Sequence, residues 1–277
     1  MEPDVLLKII VSIVVIGYVF DQLLDFLNLK SQRQDIPDEV AAFYDREKYL
    51  KSLAYHRELT QFSFITSAFS VVLSLVMLLS GGFGWLDSVV RNYVHYDIMV
   101  ALVFFGLILM ASDVLTLPFQ WYSTFVIEEK YGFNKTIART FLLDKVKGWL
   151  LGAIFGGVLL SVLIYLINTV GPSFWIWFAV IASSFMLFMN MFYTSLILPL
   201  FNKLAPLPDG ELKTAIQEYA LKVNFPLDNI FVIDGSKRSA KANAFFSGMG
   251  KKKKIVLYDT LINNHTTEEL VAVLAHE

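Results

Sequence analysis

The stretch between Lys147 and Lys203 holds no Asp, Glu, Lys, Arg or His, and this is the feature that most limits how the chain can fold. A single helix of this length, rising about 1.5 Å per residue, would be much longer than a bilayer core of about 30 Å. The sequence Asn-Thr-Val-Gly-Pro at 168–172 supplies a turn, because Gly and Pro end helices. The stretch is therefore predicted to form two membrane-crossing helices, at about 148–168 and 173–198.

Three more apolar segments are long enough to cross a bilayer, and they lie at about 5–24, 62–81 and 97–118. The whole chain is 56% hydrophobic and 17% charged, where a soluble domain has about 25% charged residues. The first segment does not read as a cleaved signal peptide, because acidic residues precede it and no small-residue cleavage site follows it. Residues 1–202 are thus predicted to be an all-α polytopic membrane domain with five transmembrane helices.

The Lys and Arg residues between these helices indicate their orientation. The connection between the first and second helices and that between the third and fourth are rich in both residues, whereas the other two connections hold only Arg91. Connections rich in Lys and Arg remain on the cytoplasmic side of a membrane. We therefore expect the N-terminus outside and everything after the fifth helix in the cytoplasm.

The sequence changes after residue 202 to the pattern of a small α+β subdomain, which we assign to 203–277. Apolar residues recur with helical spacing over 212–223, and 229–233 is a short apolar run that predicts a buried strand. The β-prone runs 242–247 and 255–258 are joined by glycines and four lysines, which predicts a hairpin. The subdomain is therefore expected to contain three strands.

A capping box opens the last predicted helix. Thr266 and Glu269 have the required spacing, and an apolar run follows them. His276 and Glu277 end this run and match the first half of the zinc-binding sequence H-E-x-x-H. A His-Glu pair alone is more often two polar residues at a helix end, so its meaning depends on the rest of the chain.

Five stretches carry a pattern that extends over nearly the whole chain. They are Thr124-Phe-Val-Ile-Glu-Glu-Lys130 with Gly132-Phe-Asn134, Pro206-Leu-Pro-Asp-Gly210, Gly235-Ser-Lys-Arg-Ser239 with Ala242-Asn-Ala-Phe245, Ile255-Val-Leu-Tyr-Asp-Thr260, and Leu274-Ala-His-Glu277. In this order they resemble the type I CAAX prenyl endopeptidases, which are multispanning zinc metalloproteases of the membrane. The resemblance implies that the chain shares their fold and chemistry.

What the resemblance implies first is a Zn²⁺ site at the end of the chain. In H-E-x-x-H the two His residues lie one helical turn apart and bind one zinc ion, while the Glu takes a proton from the attacking water. His276 is therefore expected to be a zinc ligand and Glu277 the general base. The family's second His and distant Glu ligand do not occur in these 277 residues, so we expect an N-terminal portion that is inactive alone.

The predicted hairpin is expected to hold the substrate. In proteases of this kind an extended peptide adds to an exposed strand edge through backbone hydrogen bonds. The resemblance, together with the small residues of this run, places the edge at Asn243, Ala244 and Phe245. The alternative is that the same run forms an internal strand of the small sheet.

Two further groups of charged residues leave alternatives open. Asp21 and Asp25 lie four residues apart on one helix face, and they either line a water-filled chamber or lie at the membrane interface. Glu128 and Lys130 belong to the first family-like stretch, where either a structural or a substrate-gating role is possible.

We thus expect a zinc-dependent endopeptidase that hydrolyses prenylated or other membrane-associated proteins in a lipid bilayer. The alternative from another class is a non-catalytic membrane channel or scaffold with the same fold. A net charge of −2 gives no indication of a nucleic-acid partner. The compact first loop and the absence of cysteine and of an organelle signal favour a bacterial inner membrane over the endoplasmic reticulum membrane.

Overall fold

The computed structural model describes residues 2–39, 41–43, 45–248, 250 and 253–276. Long apolar helices are followed by a small mixed sheet with helices packed on it, which confirms the predicted fold class. The chain divides into two compact units, Met1–Tyr131 and Gly132–Glu277. The boundary that composition suggests, at residue 202, falls inside the second unit because the sheet packs on the end of the last apolar helices.

The described residues of the first unit form four α-helices, namely α1 (Pro3–Ser31), α2 (Arg46–Leu79), α3 (Gly82–Tyr93) and α4 (Asp97–Tyr122). Helix α4 continues into a wide π-helical turn, Ser123–Glu128. Asp45 caps α2, since its carboxylate accepts hydrogen bonds from the N–H groups of Glu47 and Lys48 at 2.8 and 3.1 Å. Helix α3 has no counterpart in the sequence prediction.

The charged residues after α4 are bonded to α2. The Tyr55 hydroxyl donates to Glu128 Oε1 at 3.2 Å. Lys130 Nζ and the Tyr131 hydroxyl both donate to Glu58 Oε2, at 2.6 and 2.8 Å. These bonds fasten the end of α4 to α2, and they support the structural rather than the gating role for Glu128 and Lys130.

The second unit begins with a pair of antiparallel apolar helices, α5 (Ala138–Val170) and α6 (Phe174–Phe192). Gly171 makes the turn between them with a φ of 67°, a conformation that glycine adopts without strain. Lys147 Nζ, in α5, donates to the carbonyl of Leu200, beyond α6, at 2.7 Å. The predicted turn is confirmed, although α5 itself continues to Val170.

Four helical segments of the described residues are long and apolar enough to cross a membrane, namely α1, α2, Asp97–Glu128 and Ala138–Phe201. The last segment is 64 residues long and contains both α5 and α6. Large apolar side chains are exposed along these helices, among them Ile13 at 66% and Leu109 at 69%. Such surfaces suit contact with lipid, and the chain is an integral, multi-pass membrane protein.

The sheet in the described residues consists of β1 (Leu204–Pro206), β2 (Leu227–Ile233), β3 (Ala244–Ser247) and β4 (Lys253–Tyr258), in the order β1-β2-β4-β3. Strands β3 and β4 are antiparallel, which confirms the predicted hairpin, and β2 and β4 are parallel. The prediction of three strands is wrong, because the described residues form four. Strand β1 has only three residues, too few for an alternating pattern, and it pairs with β2.

The two faces of the sheet pack against different parts of the second unit. Three helices cover one face, namely α8 (Glu211–Lys222), α9 (Asp259–Ile262) and α10 (Thr267–His276). On the other face, Ile233 and Val256 pack on Leu198, which begins the short helix α7 (Leu198–Phe201) that follows α6. The sheet therefore lies between the apolar helix pair and the three helices that precede and follow its strands.

Candidate active site

Helix α10 carries His276 as its last residue. The Thr266 N–H donates to Glu269 Oε2 at 2.9 Å and the Glu269 N–H donates to Thr266 Oγ1 at 3.4 Å, so the predicted capping box is confirmed. Leu274 is buried at 6% exposure and holds the helix against the sheet, whereas His276 is exposed. Glu277 lies outside the described residues. The helix thus has a capped start, and the exposed His276 is its last described residue.

The donor type at this helix end suits a zinc ion. Imidazole is a common zinc ligand, and the exposed His276 is accessible to a metal ion. Within the part of the chain that the structure describes, no group of three or more His, Cys, Asp or Glu side chains is placed to hold a metal. His276 is therefore a single candidate ligand among the described residues.

Among the described residues, strand β3 forms one edge of the sheet, which favours the edge over the internal-strand alternative. The Tyr258 N–H donates to the Asn243 carbonyl at 3.0 Å. Bonded and non-bonded pairs alternate in an antiparallel ladder, so the backbone polar groups of Phe245 face β4. By the same alternation, the N–H and C=O groups of Ala244 and Phe246 point to the open side of the strand.

Asn243 caps one of these outward groups. Its Oδ1 accepts a hydrogen bond of 2.9 Å from the Ala244 N–H. The Asn243 side chain is exposed, so the carbonyl of an added peptide strand can replace this oxygen. The edge is thus protected by its own side chain yet remains accessible to a partner strand.

Tyr258, at the end of β4, stands beside the edge strand. Burial raises the pKa of its hydroxyl, and the nearby Tyr193 adds to the rise, while a hydrogen bond with Asn243 and the charge of Arg238 act in the opposite direction. The phenol consequently remains neutral well above physiological pH.

Two cavities flank β3. One of about 580 Å³ lies between α8, α10 and the hairpin, and Phe246, Leu274 and Ala275 line it. The other, of about 340 Å³, lies between α6 and the strand and includes Phe245. Asn190 of α6 borders both cavities. The last turn of α10, which ends at His276, therefore shares a cavity with the strand that is expected to hold the substrate.

The first unit contains a separate polar cleft. Asp21 and Asp25 line a cavity of about 890 Å³ between α1 and α2, opposite Ser63 and Ser70. Gln22 donates to the hydroxyl of Ser67 across the same cleft at 3.2 Å. The two carboxylates thus border a polar cleft between α1 and α2.

The sequence pattern assigned no role to Asp144 or Arg238. The two side chains, 94 positions apart, form a two-bonded ion pair close to the segment that leads into β3. Arg238 lies within the family-like stretch 235–239, which was the signal that could have identified it. Asp144 lies outside all five stretches, so the sequence offered no corresponding signal for it.

An open-edged strand near a helix that ends at His276, in a unit built onto long apolar helices, is typical of the class of membrane-bound metallopeptidases. Residues 25–203 match a family profile described as CAAX prenyl protease N-terminal, five membrane helices. Residues 206–277 match the profile of peptidase family M48. The chain therefore belongs to the CAAX prenyl protease family within peptidase family M48.

Named relatives and a solved structure agree with this assignment. The chain is 39% identical to the probable CAAX prenyl protease 1 of Schizosaccharomyces pombe, over 88% of this chain and 54% of that protein. It is 35% identical to CAAX prenyl protease 1 of Saccharomyces cerevisiae, over 100% of this chain and 64% of that protein. The crystal structure of S. mikatae Ste24p superposes with a TM-score of 0.91 at 33% identity and covers 100% of this chain and 66% of that one. The chain thus spans between half and two thirds of the length of these relatives.

Proposed function

We propose that this chain is the part of a zinc-dependent endopeptidase that binds the substrate and carries the first half of the metal motif. The substrates would be membrane-associated proteins, including prenylated CAAX proteins, which the names of the relatives indicate. The observation that carries the proposal is the cavity shared by the last turn of α10 and strand β3. Leu274 and Ala275, which directly precede the candidate metal ligand, and Phe246, which directly follows the candidate substrate edge, line this cavity, and this supports the proposal.

In this proposal the chain's own residues have distinct tasks. His276 binds the metal, and Glu277 accepts the proton of the water that attacks the peptide carbonyl. Zinc, when bound, lowers the pKa of that water to roughly 7. The 277 residues supply His276 as one of the three protein ligands that a catalytic zinc site uses, so the chain by itself is proposed to be inactive.

The substrate would add to β3 as a further strand. The outward N–H and C=O of Ala244 and Phe246 would pair with its backbone, and Asn243 would release the Ala244 N–H. Successive side chains of an added strand point to opposite faces of the sheet. The cavities that contain Phe245 and Phe246 lie on those faces, which favours a substrate with apolar side chains next to the cleaved bond.

One part of the chain would lie in the membrane and the other in the cytoplasm. We propose that residues 1–202 form the membrane domain and that 203–277, with the catalytic residues, lie on the cytoplasmic side, as the basic connections indicate. The relatives named above come from eukaryotes and give no support to a bacterial inner membrane. The endoplasmic reticulum membrane is therefore the proposed location.

Metal analysis and peptide cleavage test this function in the protein read from the coding sequence beyond codon 277. The wild type should contain about one zinc per chain and cleave a farnesylated CAAX peptide. His276→Ala should lose the zinc. Glu277→Gln should keep it and lose about 10²- to 10⁴-fold in rate, because only the base is removed.

His265→Ala is the matched control, because the ring nitrogen of His265 contacts the Leu261 carbonyl at 3.0 Å and this residue is not proposed to touch the metal. It should keep both zinc and activity. A Glu277→Gln protein as active as the wild type would contradict the proposal. A longer protein with neither zinc nor cleavage would support the channel or scaffold alternative.

A further inference from the structure

The segment that leads into β3 is fastened to helix α5 by one side chain. Arg238 Nε donates to Asp144 Oδ2 at 2.7 Å, and its Nη2 donates to Asp144 Oδ1 at 3.0 Å. The same Nη2 donates to the carbonyl of Phe201, at the end of α7, at 2.7 Å. A single guanidinium therefore joins the segment to the N-terminal part of α5 and to the end of α7.

The backbone around Arg238 is paired as well. Its carbonyl accepts hydrogen bonds from the Lys135 N–H and from Thr136 Oγ1, both at 3.0 Å. The Ala240 N–H donates to the Phe133 carbonyl at 2.9 Å. Residues 133–136, just ahead of α5, thus act as a short partner strand for 238–240.

Further hydrogen bonds follow along the segment towards the candidate substrate edge. The Lys241 carbonyl accepts a hydrogen bond from Thr260 Oγ1 at 3.0 Å, and the Asn243 carbonyl accepts one from Tyr258. The backbone from Arg238 to Ala244 is therefore held at short intervals, and a displacement at Arg238 has no loose residues in which to be absorbed.

The Asp144–Arg238 ion pair holds its two side chains at a defined distance and orientation. Both side chains are 23% exposed, so water screens the pair less than it screens one on the surface. A guanidinium binds a carboxylate through two parallel bonds in one plane, which sets direction as well as distance. Arg238 Nη1 is buried without a hydrogen-bond partner among the described residues, which shows how closely the surroundings enclose the group.

We infer that Arg238, held by Asp144, is a positioning residue that fixes the open edge of β3 relative to the apolar helix pair. This rests on the proposed function, in which that edge binds the substrate backbone. Loss of the pair leaves β3 hydrogen-bonded to β4 but removes the side-chain link of the segment to α5, so that the segment shifts as a whole and carries the edge with it. The peptide bond of the substrate is then misaligned with the attacking water. A misplacement of about 1 Å lowers the rate about 10²-fold.

Three variants test the inference: Arg238→Met, Asp144→Asn and the two combined. In the 277-residue chain in detergent, amide exchange should become faster over 239–244, while exchange over β2 should stay as in the wild type. In the longer enzyme, kcat/KM should fall by about 10²-fold with zinc content unchanged. The double variant should be no worse than Arg238→Met, because both changes remove the same Arg238–Asp144 ion pair.

Lys213→Met is the matched control, because Lys213 forms a 2.6 Å salt bridge with Asp209 in the same unit, and Asp209 is 96% exposed. Lys213→Met should change neither the amide exchange over 239–244 nor kcat/KM. Wild-type exchange over 239–244 in Arg238→Met would overturn the inference, as would additive losses in the double variant. A third outcome is faster exchange in Arg238→Met together with a wild-type longer protein that is inactive. It would support the role of Arg238 in positioning the edge but refute the proposed function.

Discussion

The backbone of Gly235 lies directly against the phenol ring of Tyr258. A Cβ at residue 235 would be 2.9 Å from Cε1 of that ring and closer still to Cδ1. The contact closes the turn after β2 onto the end of β4, so the small size of glycine, rather than its backbone freedom, is what this position requires.

Gly235→Ala should therefore destabilise the second unit by about 1–3 kcal/mol, the usual cost of inserting a methyl group into a packed site. Thermal unfolding in detergent measures the effect. Gly210→Ala is the control, since Gly210 has extended backbone and nothing lies near a Cβ built there. Equal unfolding temperatures for the Gly235→Ala protein and the wild type would show that the ring moves aside without cost.

Ala244→Pro should abolish cleavage in the longer enzyme while leaving zinc content unchanged. The substitution removes an N–H that points to the open side of β3, where proline is tolerated, so the sheet should persist. Phe245→Pro removes an N–H that faces β4, and it should unfold the hairpin as well. Cleavage at the wild-type rate by Ala244→Pro would exclude substrate pairing at this edge.

The stability of the second unit should fall at alkaline pH partly through Tyr258. Its folded-state pKa is raised, chiefly by burial, so its contribution is complete below the ordinary value of about 10 and is lost as the pH rises through the folded value. Unfolding followed from pH 8 to 11 should show a smaller loss in Tyr258→Phe. Tyr93→Phe, at a side chain that is 83% exposed, should follow the wild type.

Single cysteines test the orientation, since the chain contains none of its own. In sealed microsomes with the cytoplasmic face outward, Ser31→Cys and Ser236→Cys should react with a membrane-impermeant thiol reagent. Ser88→Cys should react only after the membrane is permeabilised, because the connections rich in Lys and Arg remain in the cytoplasm. Protection of Ser236→Cys together with labelling of Ser88→Cys would invert the proposed topology.

The parts of the fold that depend on neighbouring residues were predictable from sequence. The turn around Gly171 and the capping box at Thr266 rest on signals within a few positions, and the structure confirms both. The β3–β4 hairpin likewise needed only two β-prone runs and glycines between them. The His276-Glu277 pair was a candidate site because five family-like stretches in order supported it.

Features that depend on contacts between residues far apart in the sequence were not predictable. The parallel register of β2 with β4 is set by packing on both faces, and nothing in either run specifies a parallel partner. The Asp144–Arg238 pair joins residues 94 positions apart, and a single sequence shows no link between them. Helix α3 was missed because its 12 residues follow a membrane segment directly and read as part of a loop.

The sheet has a practical consequence for anyone who wishes to express the peptidase part alone. One of its faces is covered by α7, so a shortened chain that begins after Asn202 would expose Ile233 and Val256, which are 1% and 0% exposed in the intact chain. An exposed apolar face of this kind promotes aggregation. A soluble version would need replacement side chains on that face, or a designed helix in place of α7, before trimming the membrane helices could succeed.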